Sequence, residues 1–154
     1  MLEQNINIFD DDIICRADAL CFLSSNTSRI NGDLVFEDSI SRLFEAKFHN
    51  LALDAGIKVR KNGTVCQVIR QETIQCLDYS SCFDIIAFPV KFHRRYKICP
   101  ELIFLSGRQL MKLIEENKYN KVYIPKIYDD YISWDSLKIE LSNILDDRVI
   151  VCLH

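Results

Sequence analysis

The run Lys91-Phe92-His93-Arg94-Arg95-Tyr96-Lys97 interleaves cations with aromatic rings. That mixture can hold a phosphate and stack a base; the same residues also suit a basic loop beside a strand. Ser24-Ser25-Asn26-Thr27-Ser28 is a second polar run, Asp129-Asp130 reads as an acidic turn ahead of a helix, and Asp10-Asp11-Asp12 as a solvated turn. The seven cysteines (Cys15, Cys21, Cys66, Cys76, Cys82, Cys99, Cys152) contain no CxxC pair and no histidine at zinc spacing. Most lie in apolar runs, so the expectation is reduced core thiols and no metal.

The formal charge of −3 gives no global attraction to nucleic acid or anionic lipid, so anion recognition must come from a local patch such as 91–97. With 154 residues, 49% hydrophobic and 27% charged, the chain is expected to fold as one domain over 1–154 without a disordered linker. No stretch approaches the roughly 20 apolar residues of a membrane span, and no basic segment leads into an apolar run. The expected setting is cytoplasmic, with no membrane partner.

Those reactive segments need elements to hold them. Short β-branched or aromatic runs at 5–9, 19–24, 57–60, 64–70, 83–90, 121–127 and 148–153 predict strands, with Asn62-Gly63 as a hairpin turn between the third and fourth. Ile40, Leu43, Phe44, Phe48, Leu51 and Ala55 recur at helical spacing and predict a helix over about 39–55, ended by Gly56. Leu102 to Ile114 predict a second helix, interrupted or bent near Gly107. Trp134, Leu137, Leu141, Ile144 and Leu145 predict a third, with Ser133 as N-cap. The nearly unbroken apolar run 83–88 indicates a strand covered on both faces. The fold class is therefore α/β, a three-layer α/β/α sandwich, and loops beginning near Ser24, Val90 and Ile127 should meet beyond the strand ends, where such sheets bind ligands.

The order of these segments resembles the macro domain family, in particular its branch of terminal ADP-ribose protein glycohydrolases and DNA ADP-ribosylglycohydrolase antitoxins, which implies a mixed central sheet. Asp12-Ile13 ahead of Asp18-Ala19-Leu20 is similar to the family's adenine-reading Asp-Ile pair before a strand. The segment FDIIAFPVKFHRR, 83–95, resembles a hydrophobic strand ending in FPTK-x-H-W-R, with Val90 for Thr and Arg94 for Trp. The strand 121–127 followed by Trp134 and the closing strand 149–153 match in order. The chain departs from the pattern in its two phosphate loops, which are glycine-poor: only Gly32 lies within 27–39 and no glycine within 128–133. Without glycine, backbone N–H groups approach a diphosphate less closely, so its binding is expected to be weaker or reorganised.

The resemblance implies catalytic roles for Lys91 as an amine attacking the distal ribose, Asp130 in proton transfer, and Ser25 at the end of the second strand. A depressed lysine pKa would be needed, with Arg94, Arg95 and Lys97 as the neighbouring cations. It implies ligand contacts at Asp12, Ile13, Asn26, Gly32, Pro89, His93, Ile127, Tyr128 and Asp129, and no cofactor. The implied partner is ADP-ribose or an ADP-ribosylated protein or nucleic acid, recognised and, in the enzymatic form, hydrolysed. The alternative is an inactive macro-like interaction or nucleotide-sensing module. Either would fit a small viral or phage accessory protein.

Overall fold

The computed structural model describes all residues, Met1 to His154. The element order is β1 (Leu2–Gln4), α1 (Asp11–Arg16), β2 (Ala19–Ser24), α2 (Ser39–Lys47), α3 (Leu51–Asn62), β3 (Gln67–Gln75), β4 (Ser80–Pro89), α4 (Pro100–Asn117), β5 (Val122–Pro125), α5 (Trp134–Ile144) and β6 (Val149–Cys152). The six strands form one sheet in the order β1-β6-β5-β2-β4-β3. All neighbours run parallel except β3, which pairs antiparallel with β4. The sheet is mixed, as expected.

Alternation along the central strands divides the core into two halves. Leu20, Phe22, Ile85 and Ala87 face one side, where they pack with residues of α1, α2 and α3. Ala19, Cys21, Leu23, Ile86 and Phe88 face the other, against α4 and α5. Residues of β2 are buried throughout, as a strand covered on both faces must be. The three layers follow directly.

Four local expectations fail for identifiable reasons. Residues 5–9 do not form a strand: the Asn7 carbonyl and Oδ1 accept from Asp10 N and Phe9 N, turning the chain into α1, which was not foreseen. Residues 57–60 are the last turns of α3, whose buried face is Leu51, Ala52, Ala55, Gly56 and Val59. Gly63, at φ +85°, caps that helix, and the sheet's antiparallel hairpin turns instead at Cys76 to Tyr79, where Cys76 N donates to Tyr79 O at 2.7 Å. The single helix expected over 39–55 is two, broken at Asn50 with φ 59°.

Gly56 is thus not a helix end. A Cβ there would lie 1.9 Å from the Gly32 carbonyl oxygen, so glycine is required for the loop before α2 to pass against α3. Gly107 likewise does not bend α4, which is continuous. Its missing side chain admits Ile144 and Leu141 of α5, 3.3 and 3.4 Å from where a Cβ would stand. Ser133 caps α5 by accepting from Ser136 N, as expected.

The cysteines are also not all reduced. Cys15, at the end of α1, and Cys76, at the β3–β4 turn, form a disulfide with Cα atoms 6.1 Å apart, inside the usual span for such a bond. They are 61 residues apart in sequence, and only the packing of α1 against β3 and β4 brings them together. Cys21, Cys66 and Cys152 are buried free thiols. Burial raises the pKa of all three, Cys152 to about 12.

Candidate functional site

Where β2, β4 and β5 end, the chain forms a half-open cavity of about 280 Å³. Its inner wall is Leu23, Ser24 and Ser25 from the end of β2, Val90 and Lys91 just past β4, and Ile127 past β5. Register explains the convergence: Ser24 pairs with Pro89 across parallel β2 and β4, so both strands deliver their next residues to the same place. Val90 N then donates to Ser24 O at 2.9 Å, extending the pairing by one step. Ser106 Oγ of α4 donates to Pro89 O at 2.7 Å, which fixes the strand end from behind.

Charged side chains form the rim. Lys91 Nζ lies 2.5 Å from Glu37 Oε2 and donates to Arg94 O at 3.0 Å. Asp38 caps α2, its Oδ1 accepting from Ser41 N at 2.8 Å. The Ser41 hydroxyl, with one proton to give, stands 2.9 Å from Leu23 O and 2.6 Å from Asp38 Oδ2. Asp129 Oδ2 accepts from Tyr131 N and Ile132 N, both at 2.9 Å. Lys97 rests over the Tyr131 ring, 4.0 Å from its centroid, a cation–π contact. One polar group is unmatched: Ser25 Oγ is buried and has no hydrogen-bond partner.

No protein-family model matches the chain, and no curated protein matches it by sequence. Solved structures do. The macrodomain of Thermus aquaticus DarG superposes with a TM-score of 0.71 over 99% of this chain and 97% of that one, at 17% identity. The macrodomain of Mycobacterium tuberculosis DarG gives 0.69 over 99% of both, at 16% identity. The fold is that of a macro domain. Thermosipho africanus DarTG, solved in complex with ADP-ribose, matches 90% of this chain at a TM-score of 0.68 and 11% identity, over 38% of its own length.

Within this macro-domain framework the expected site residues separate into two groups. Ser25, Lys91, Ile127, Tyr128 and Asp129 line the cavity. Asp130 does not; it is exposed, and of the adjacent acidic pair Asp129 is the one on the wall. Asp12 is exposed in the first turn of α1, and Ile13 packs into the core beside it. Asn26 is exposed and outside the lining, and Gly32 faces Arg60 and Gly56 of α3. Pro89 is buried as the last residue of β4 and is not part of the lining. His93 accepts at Nδ1 from Arg95 N at 3.1 Å and lies against Tyr96, a turn-forming role.

The first loop also differs from an open phosphate loop. Arg29 N donates to Asp33 O, Gly32 N to Arg29 O, Val35 N to Thr27 O and Leu34 N to Ala52 O, so these backbone donors are already occupied. Of the cations expected around Lys91, Lys97 lies over the Tyr131 ring; Lys91 itself meets the Arg94 carbonyl oxygen and the Glu37 carboxylate. Tyr96 and Lys97 of the cationic aromatic run, together with Val35, Glu37, Asp38 and Ile98, complete the lining; the last four were not read from the sequence. The Asp38-Ser39-Ile40-Ser41 start of α2 carried a capping signal, but nothing marked Glu37.

Proposed function

We propose that the cavity recognises ADP-ribose, free or carried by a protein or nucleic acid. The observation that carries the reading is the buried, unpartnered Ser25 hydroxyl beside Lys91 in a cavity at the strand ends of a macro-domain fold. A buried hydroxyl without a partner costs stability that a bound ligand recovers by supplying the missing hydrogen bond. The DarTG structure in complex with ADP-ribose supports the choice of ligand.

At about 280 Å³ the cavity is just below the usual size of ligand pockets, which run roughly 300–1,000 Å³. It suits part of a dinucleotide-sized guest, with the remainder lying along the exposed lining residues Tyr96, Lys97 and Tyr128. The test is calorimetric titration with ADP-ribose alongside thermal melts. Binding that Ser25→Ala weakens supports the reading; no heat and no thermal stabilisation at millimolar ligand rejects it.

Recognition is favoured over hydrolysis because Lys91 is ion-paired and Asp130 stands outside the cavity. Hydrolytic removal of ADP-ribose, with Lys91 as nucleophile and Asp130 in proton transfer, would require Lys91 to leave Glu37 and Asp130 to move to the cavity from its exposed position. If turnover of ADP-ribosylated substrate exists and survives both Lys91→Ala and Asp130→Ala, that assignment is wrong.

A further inference from the structure

Three carboxylates on the cavity wall, Glu37, Asp38 and Asp129, are already held by groups of this chain that could otherwise hold an anion. The N-terminus of α2 holds Asp38, the N–H groups of Tyr131 and Ile132 hold Asp129, and Lys91 holds Glu37. Asp38 and Asp129 are fixed by backbone donors and shape their own turns. Glu37 is different. Its side chain is 29% exposed, its carboxylate meets the Lys91 ammonium and no backbone donor, and its length lets it swing into solvent without disturbing the loop.

We propose that Glu37 is a built-in competitor for Lys91, occupying the lysine until an anionic ligand displaces it. Glu37 thereby sets how strongly the cavity discriminates between anionic and uncharged ligands. A diphosphate reaching Lys91 must break the Glu37 pair and then lies near a released carboxylate. An uncharged nucleoside pays neither penalty. The internal hydrogen bonds of the first loop strengthen the effect, because its backbone donors are not free to substitute for the lysine.

This inference rests on the cavity taking ADP-ribose, and the experiment separates the two claims by including inorganic pyrophosphate. Wild type, Glu37→Gln, Glu37→Ala and the double variant Glu37→Gln/Lys91→Met are titrated with ADP-ribose, pyrophosphate and adenosine. Glu140→Gln, an exposed change on α5, controls for the altered net charge, and melting curves verify folding. Both Glu37 variants should bind ADP-ribose and pyrophosphate about three- to tenfold more tightly, the order expected for a partly exposed ion pair. Their salt dependence should steepen, while adenosine and the Glu140→Gln control should not change.

The gain should disappear in the double variant. Pyrophosphate binding that is unchanged or weakened by loss of Glu37, or a gain that persists without Lys91, overturns the proposal. ADP-ribose bound equally by wild type and the Glu37 variants leaves recognition standing and removes the competitor. A Lys91-dependent gain for pyrophosphate with no ADP-ribose binding in any variant does the reverse.

Discussion

Ser25 combines burial with an unsatisfied hydroxyl, an arrangement that costs free energy in the empty state. Ser25→Ala should therefore raise the stability of the ligand-free protein by about 1 kcal/mol while weakening ADP-ribose binding. Urea unfolding and titration on the same samples check both signs; a destabilised variant would mean that the hydroxyl is matched in solution. Ser25 and Lys91 were singled out in the sequence through the family resemblance, and the convergence of strand ends in this architecture explains why both line one cavity. Glu37 was not, since its significance comes from a contact across 54 positions with Lys91 that no local pattern encodes. The choice between Asp129 and Asp130 depended on loop register, which spacing alone leaves open.

Among the elements, α3 shows how one residue misleads a local reading. A glycine after an apolar helical face signals a C-cap, yet Gly56 sits mid-helix because a backbone carbonyl from another segment passes it. In an open helix Gly→Ala stabilises by about 1 kcal/mol; here Gly56→Ala should destabilise by about 1–3 kcal/mol, as overpacking does, measured by denaturant midpoint. Strands β2 and β4 and helix α5 were legible because their signals are internal: continuous apolar runs and a Ser133 cap. The short β1 was not, because three residues carry too little pattern. Beyond its pairing with β6, it is tied down by Glu3, which accepts from Trp134 Nε1 at 2.7 Å and pairs with Lys138 at 2.6 Å. Hydrogen bonding from Lys138, then from Trp134, holds the Glu3 carboxyl below its ordinary range. A lowered folded-state pKa contributes stability above the unfolded value, about 4.3, and loses it as pH falls through the folded one. Acidification from about pH 6 to about pH 3 should thus cost wild type more than Glu3→Gln, compared by urea midpoints.

For the molecule as a whole, the layered order and the position of the cavity followed from alternation and strand-end convergence, whereas the Cys15–Cys76 link did not. Pairing between remote cysteines is a product of tertiary packing, and an odd number of them in apolar runs gave no hint of it. Closing a loop of this length restricts the unfolded chain by about 4 kcal/mol in the chain-entropy account. Reduction should lower the melting temperature, and thiol titration of the denatured, unreduced protein should find five free groups. In a reducing compartment the pair opens, so stability measured without reductant is the upper limit. The same bond encloses the loop carrying exposed Arg29. A tryptic nick at that arginine therefore leaves two fragments tethered: one band on a gel without reductant, two with it, and a cut chain that still carries both halves of its cavity wall.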